Sequence, residues 1–261
     1  MARRPLIVSS ANPRLKAVRR LARRGAPGIC FAEGARAVRA AFAAGAEVHE
    51  LYVAPDLLAG RDADLVSAGV SCGAAVVELG KHAFASLTLR RPDGLLAVVR
   101  RPSTALSAFD PPREPFLAVA VAIERPGNLG AIARTACAAG VDALLVADPR
   151  TDLFHRETIR GSVGAVFRLP CAIATTEDAL DWLREREIRL VATTPGAPAP
   201  YWTPSYAGGV AVAFGSERHG LPCAWLEAAS ECVSVPAHGP VDSLNVAVAA
   251  GVVLCEAARS R

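Results

Sequence analysis

Three segments in the second half of the chain combine glycines with polar side chains that could bind a ligand or take part in catalysis. The first runs from Glu124 to Ala136, enters a predicted helix and carries Asn128 and Arg134. A glycine turn at the start of a helix can bind an anion. The segment has neither the G-x-G-x-x-G pattern of dinucleotide sites nor the Gly-Lys-Ser/Thr of a P-loop. Alone, it is best interpreted as a tight turn with a surface arginine.

The other two segments supply a carboxylate, a hydroxyl and an amide. Between Gly215 and Gly220, Glu217 could hold a basic side chain or accept a hydrogen bond, and Gly215 would let a ligand approach the backbone. In the third segment, Ser243 is predicted to cap a helix, so that the residues up to Asn245 expose N–H groups. Each segment alone is an ordinary α/β loop.

Buried strands precede these segments. The run from Phe116 to Ile123 is apolar without alternation, which is typical of a parallel strand buried on both faces. Similar runs recur, separated by helical patterns, at residues 143–147, 189–193, 210–214 and 233–235. We therefore predict an α/β domain with a mostly parallel sheet. Because ligands bind beyond the carboxyl ends of such strands, the three segments are expected to form one site.

The first half of the chain predicts a smaller α/β domain. It begins with an amphipathic helix from Asn12 to Arg24, within a stretch (residues 1–24) that has eight basic side chains and no acidic one. Four prolines between residues 100 and 115 predict a linker. The expected organisation is a first domain at 1–100, a linker at 101–115 and a second domain at 116–261.

In this order and spacing, the three segments together resemble the SpoU/TrmH family of RNA ribose methyltransferases. The matching patterns are Asn128-x-Gly130-x-x-x-Arg134-Thr135-Ala136, Gly215-Ser216-Glu217-x-x-Gly220-Leu221, and Val235-Pro236 followed by Ser243-Leu244-Asn245-Val246. The chain departs from the family pattern at Ala237, where methionine is common, and at Asp242, where serine is frequent. The first half is similar to small ribosomal-protein-like RNA-binding domains through Phe31-Ala32-Glu33-Gly34 and Pro92-Asp93-Gly94-Leu95-Leu96-Ala97-Val98.

The resemblance implies a fold and an activity. The fold is α/β, with a C-terminal parallel-sheet domain that contains a trefoil knot and a small N-terminal α/β RNA-binding domain. The activity is transfer of a methyl group from S-adenosylmethionine to a ribose 2′-hydroxyl of structured RNA, with 23S ribosomal RNA the expected substrate. Other relatives methylate transfer RNA, and some of those that act on 23S RNA confer antibiotic resistance. The sequence names neither the target nucleotide nor the proton acceptor.

The resemblance also assigns site residues. The expected catalytic set is Asn128, Arg134, Glu217, Ser243 and Asn245. The expected cofactor contacts are Thr193, Thr194, Gly215, Ser216, Leu221, Val235, Pro236, Ser243, Leu244 and Asn245. A guanidinium with a pKa above about 12 is a poor base. We therefore expect Arg134 to stabilise the developing alkoxide, oriented by Glu217, while Asn128 and Ser243 hold the ribose and water takes the proton.

Charge and composition predict the partners. Arginine forks suit phosphate contacts, and the expected RNA-binding residues are Arg14, Lys16, Arg19, Arg20, Arg23, Arg90, Arg91 and Arg160. The resemblance implies a homodimer through the knotted domain, for which the apolar helix at 246–258 offers a surface. We expect no metal, because no His/Cys/Asp cluster has ligand spacing. We expect no membrane span and a cytoplasmic location, because no apolar run reaches about 20 residues.

Two other classes of function stay open. One is a non-catalytic protein that keeps the fold and binds ribosomal RNA, since fold alone does not establish function. The other is a nicotinamide-dependent oxidoreductase, which the missing dinucleotide fingerprint disfavours. Within the methyltransferases, transfer RNA is the alternative substrate. Binding of S-adenosylmethionine, of nicotinamide or of neither would separate these classes.

Overall fold

The structure is a computed structural model that describes residues 6–25, 27–89, 92–240 and 242–261. The chain forms two compact units. The first contains the described residues up to Pro102 together with Phe154–Arg168, and the second contains Ser103–Leu153 and Leu169–Arg261. The predicted arrangement of a smaller α/β domain followed by a parallel-sheet domain is confirmed, apart from the segment at 154–168.

The first unit has a five-stranded mixed sheet in the order β1-β4-β3-β5-β2. Strands β3 and β2 both pair antiparallel with β5, and the remaining pairs are parallel. Its strands are β1 (Leu6–Ile7), β2 (Ile29–Glu33), β3 (Val48–Val53), β4 (Ala75–Leu79) and β5 (Leu95–Arg100), and its helices are α1 (Pro13–Arg24), α2 (Ala35–Ala43), α3 (Ala63–Ser71), α4 (Lys81–Ala85) and α6 (Arg156–Gly161).

Helix α1 forms where the sequence predicts it. The Asn12 side chain accepts a hydrogen bond from the Arg14 backbone N–H at 2.9 Å, and Pro13 occupies the first helical position, which its fixed φ favours. Leu15 and Val18 are buried in the core of the unit. The opposite face of the helix is left to arginines and a lysine.

The second unit has a seven-stranded sheet in the order β10-β12-β9-β11-β6-β7-β8, and every pair is parallel. Its strands are β6 (Phe116–Val121), β7 (Ala143–Ala147), β8 (Cys171–Ala174), β9 (Arg189–Thr193), β10 (Ala199–Pro200), β11 (Val210–Phe214) and β12 (Glu231–Ser234), and its helices are α5 (Pro126–Ala138), α7 (Thr176–Glu185), α8 (Cys223–Ala228) and α9 (Val246–Arg259). Strand β12, the last along the chain, lies between β10 and β9. The trefoil knot stays a prediction.

The segment Phe154–Arg168 belongs to the first unit, although the sequence predicts one uninterrupted domain from 116 onward. Its α6 packs against β2, and Phe154 and Ile159 are buried. Gly164 packs closely against α2, since a Cβ atom at this position would lie only 2.6 Å from the Ala40 Cβ atom. This segment packs in the first unit because its apolar side chains become buried there.

The residues predicted to form a linker are packed in the second unit. The Ile173 N–H donates to the Thr104 carbonyl at 2.9 Å, which extends the sheet beyond β8. Phe109 is buried, and its ring centroid lies 5.3 Å from that of Trp182. The prolines of this stretch interrupt regular secondary structure. The segment nevertheless packs within the second unit and does not act as a free linker.

Candidate functional site

The three polar segments meet at one edge of the second sheet. They follow β6, β11 and β12, and the Thr193–Thr194 pair follows β9. Strands β12, β9, β11 and β6 are consecutive neighbours and all run parallel. The carboxyl ends of parallel strands point to the same side, so that the segments form one cluster.

A hydrogen-bonded chain of side chains joins all three segments. Glu217 Oε1 accepts a hydrogen bond from Asn128 Nδ2 at 2.5 Å, and Glu217 Oε2 accepts one from the Glu124 backbone N–H at 3.3 Å. Asn245 Nδ2 donates to Asn128 Oδ1 at 3.3 Å. Three of the five predicted catalytic residues are therefore in contact, although they are separated by up to 117 positions in the sequence.

The hydrogen bonds around Glu217 favour its charged form. Burial alone would raise the pKa of this carboxyl group. The hydrogen bond from Asn128 and those from the backbone N–H groups of Glu217, Glu124 and Arg125 outweigh it, and the pKa lies below its ordinary value of 4.5. The site therefore holds a fixed negative charge at neutral pH.

Arg134 and Ser243 lie apart from this network. Arg134 is exposed on α5 and makes no hydrogen bond or ion pair with Glu217 or with any other described residue. The expected orientation of Arg134 by Glu217 is not seen, because Asn128 and Glu124 engage both carboxylate oxygens. Ser243 is exposed as well.

Two helix starts differ from the sequence prediction. Helix α5 begins at Pro126 rather than at 131, because proline fits the first helical position, so that Asn128 lies in the first turn. Helix α9 is capped by Asn245, whose side chain accepts from the Ala247 N–H at 3.0 Å, and not by Ser243. The short side chain of Asn245 thus serves both the helix cap and the site.

The loop after β11 closes on itself. A Cβ atom at Gly215 would lie 2.1 Å from the Gly220 carbonyl carbon, so no other residue fits there. The backbones of Ser216 and Gly220 pair through hydrogen bonds of 3.1 and 3.0 Å, and Ser216 Oγ accepts from the His219 N–H. Gly215 therefore permits close approach of the loop's own backbone, and its predicted role in approach of a ligand stays a prediction. Leu221 is buried in the core.

The remaining predicted cofactor residues lie at the same edge of the second sheet. Thr193 Oγ1 donates to the Ala213 carbonyl at 2.7 Å, and the Thr194 N–H donates to the Val233 carbonyl at 2.9 Å. These contacts fasten β9 to β11 and β12. By contrast, the main chain at 235–240 makes no hydrogen bond within the described part of the chain. Leu244 is 41% exposed.

The predicted RNA-binding residues fall into two groups. Arg14 pairs with Glu50 at 2.6 Å and contacts the Tyr52 hydroxyl, while Arg19 donates to the Ser10 carbonyl and to Ser86 Oγ, so both serve the first unit's own structure. The others are exposed and make no hydrogen bond or ion pair with described residues: Lys16, Arg20, Arg23 and Arg160. The predicted residues Arg90 and Arg91 lie outside the described residues.

The first unit contains a buried ion pair that the sequence did not predict. The guanidinium of Arg156 contacts the Glu33 carboxylate, and the two side chains are only 8% and 9% exposed. Arg156 also donates to the Leu87 carbonyl at 2.7 Å. Glu33 in the motif Phe31-Ala32-Glu33-Gly34 was a signal for it, because an acid at the end of a buried strand needs a partner.

Within residues 6–25, 27–89, 92–240 and 242–261, no group of three or more His, Cys, Asp or Glu side chains could hold a metal ion. Over the same ranges, no helix is both long and apolar enough to cross a bilayer.

Sequence comparison identifies two families. The SpoU rRNA Methylase family matches residues 115–255, and the MRM3-like substrate binding domain matches residues 12–97. The 23S rRNA (guanosine(2553)-2′-O)-methyltransferase RlmP of Bacillus subtilis (strain 168) is 31% identical over 195 residues, which are 74% of this chain and 77% of the relative.

Solved structures of similar proteins cover nearly the whole chain. An RNA 2′-O ribose methyltransferase is 39% identical with a TM-score of 0.87, covering 98% of this chain and 99% of its own. An AdoMet-bound rRNA methyltransferase from Sinorhizobium meliloti is 31% identical with a TM-score of 0.86, covering 98% of this chain and 97% of its own. Both units of the chain are therefore represented in these proteins.

Proposed function

Because the chain belongs to the SpoU rRNA methylase family, we propose that it methylates a ribose 2′-hydroxyl of 23S ribosomal RNA, with S-adenosylmethionine as the methyl donor. RNA 2′-O-methylation is the reaction named for its relatives, and RlmP is named as acting on 23S RNA. The observation that carries the proposal is the contact of Asn128, Glu217 and Asn245 at the sheet edge, in the segments that the family matches.

The sheet edge fits an adenosine-containing cofactor. Adenosine is bound by apolar contacts and main-chain hydrogen bonds. The main chain at 235–240 has these groups free, and Val235, Pro236 and Leu244 add apolar surface. The other residues expected at the cofactor would shape the loops: Thr193, Thr194, Gly215, Ser216, Leu221, Ser243 and Asn245. S-adenosylmethionine supplies an activated methyl group, so the protein has mainly to position the ribose oxygen and lower the cost of its deprotonation.

The five polar residues divide this work. Glu217 holds Asn128, and Asn128 holds Asn245, so the two amides are fixed before RNA arrives. We assign ribose positioning to Asn128 and Ser243. Arg134 has no partner among the described residues, which leaves its guanidinium available to stabilise the developing alkoxide and a neighbouring phosphate. The proton leaves to water.

The arginine-rich helix supplies the RNA contacts of the first unit. Lys16, Arg20 and Arg23 are four and three positions apart, which places them on one face of α1. All three are exposed and lack described partners. A row of such cations suits an RNA backbone.

We also propose that the protein works as a cytoplasmic homodimer. In the second unit, Leu244 and Val248 are 41% and 53% exposed at the start of α9. Exposed apolar side chains on an otherwise packed helix favour burial against a second copy. Sedimentation of the wild type and of Val248→Glu tests this, because the charge would shift the chain to the monomer.

The test of function is transfer of labelled methyl from S-adenosylmethionine to 23S RNA, 16S RNA and transfer RNA, offered separately, followed by mapping of the modified ribose. Label in 23S RNA alone is expected, and Asn128→Ala should abolish it. Label in transfer RNA alone would reassign the substrate. Cofactor binding without label in any RNA would favour the non-catalytic alternative.

A further inference from the structure

The first unit contains a cavity of about 540 Å³. It is lined by the start of α2, by the stretch from Leu57 to Asp62, by Asp93, and by Arg160 and Val163. Sites for small ligands typically measure roughly 300–1,000 Å³. The cavity is therefore large enough for one nucleotide.

The two motifs that mark this unit in the sequence build one wall of the cavity. Asp93 Oδ2 accepts from the Ala35 N–H at 2.9 Å, and the Gly34 N–H donates to the Leu95 carbonyl at 3.0 Å. A Cβ atom at Gly94, where φ is +92°, would lie 2.8 Å from the Leu58 nitrogen. Close backbone packing thus fixes the wall before any ligand binds.

The acidic side chains of the lining are already engaged. Asp93 caps α2, and Asp62 pairs with Arg39 at 3.2 Å. Glu33 pairs with Arg156 and also accepts from the Leu89 N–H. Asp62 and Glu33 are therefore neutralised by arginines, and Asp93 is engaged by backbone N–H groups.

The basic side chains of the lining are less constrained. Arg36 and Arg160 are exposed and have no hydrogen-bond or ion-pair partner within the described residues. Arg61 approaches Asp62 only at 3.8 Å. The charge left without a partner at the cavity is positive, so an anionic ligand is favoured.

We propose that this cavity takes up one unpaired nucleotide of the RNA substrate, whose phosphate is bound by Arg36 and Arg160. Guanidinium forks match phosphate oxygens, and proteins recognise RNA mainly through unpaired, splayed-out bases. The inference deepens the proposed function, on which its choice of ligand rests. Arg160 lies outside residues 12–97, so the site draws on the segment that the second half of the chain contributes.

The test measures binding of two hairpin RNAs to the full-length chain, one with a single bulged nucleotide and one fully paired. Replacing Arg36 and Arg160 together by alanine should weaken binding of the bulged RNA by about tenfold or more. Ala59→Trp fills the cavity without a change of charge and should abolish the preference for the bulge. Replacing Arg113 and Arg168 together by alanine, which removes two exposed arginines outside the cavity lining, is the matched control.

Equal losses for bulged and paired RNA would overturn the proposal, because they would indicate a contact with the backbone alone. The proposal would also be overturned if the variants weakened binding of free AMP but left RNA binding unchanged. An unaltered circular dichroism spectrum and urea midpoint show that the variants fold. If the wild type transfers no methyl group but the bulge preference and its loss are observed, the proposed function fails and the cavity site stands.

Discussion

Glu217 is the residue that connects two of the polar segments directly, and its charge is what the network requires. In Glu217→Gln, the amide can still accept from Asn128, but its NH₂ group then faces the Glu124 N–H. Losing a charged acceptor costs about 1.5–3 kcal/mol. We expect kcat to fall by roughly tenfold or more, measured by single-turnover methyl transfer.

The same variant has a defined pH dependence in stability. The pKa of Glu217 is lowered by folding, so its carboxylate adds stability above its unfolded pKa, near 4.5, and loses it as pH falls through the folded value. The difference in free energy of unfolding between wild type and Glu217→Gln should therefore shrink below about pH 4.5. A difference that grew on acidification would contradict the assigned charge.

Arg134 is expected to act as a fixed cation. Arg134→Ala should lower kcat by about 10²–10³-fold, as when a donor to a developing oxyanion is lost. Arg134→Lys keeps the charge without the fork, and intermediate turnover is expected at every pH. Recovery by lysine at high pH only would instead indicate that this side chain is the base.

The resemblance to the SpoU/TrmH family predicted the members of the site but not their pairing. Asn128, Glu217 and Asn245 were all predicted as catalytic, and the structure brings them together. The predicted Glu217–Arg134 interaction does not form, because the early start of α5 turns Asn128 toward the carboxylate. Helix α5 starts five residues before the predicted position, and periodicity defines helix boundaries less well than the existence of a helix.

At the scale of elements, α6 is held by a buried charge. Arg156→Ala would leave the Glu33 carboxylate buried without its partner, which typically costs about 3–5 kcal/mol. We expect faster hydrogen exchange in β2 and α6 and a lower urea midpoint by circular dichroism. Glu33→Met with Arg156→Met should recover most of the stability, because it removes both charges.

An internal control for this experiment is built into the sequence. Trp182, Trp202 and Trp225 all lie in the second unit, so tryptophan fluorescence follows that unit alone. Loss of tryptophan signal in step with the circular dichroism signal would show that the effect of Arg156→Ala is not confined to the first unit.

Strong periodicity made most elements predictable, and short segments were missed. The apolar runs at β6, β7, β9 and β11 lie where the sequence places them. Strand β8 and helix α6 have four and six residues, too few for a period to emerge. Nothing local shows that residues 154–168 pack in the first unit, since that depends on which apolar face they meet.

At the scale of the whole molecule, the parallel sheet followed from the buried runs, whereas the strand order did not. Strand β12 lies between β10 and β9 because segments that are distant in the sequence pair with each other. No short stretch of sequence contains both partners of such a pair. The asymmetric distribution of charge, in contrast, can be read directly from the amino-acid sequence. The net charge is +4, and the first 24 residues hold eight basic side chains.

This asymmetry predicts how RNA binding responds to salt. Each phosphate contact by a lysine or arginine contributes about 0.7–0.9 to the slope of log K against log salt. Replacing Lys16, Arg20 and Arg23 together by alanine should therefore reduce that slope by roughly 2–3, measured by titration of 23S fragments at several salt concentrations. The control replaces Lys81, Arg113 and Arg168 together by alanine. These side chains are exposed, and their loss lowers the net charge by the same amount. If both triple variants reduced the slope alike, the total charge of the molecule, and not the face of α1, would govern its affinity for RNA.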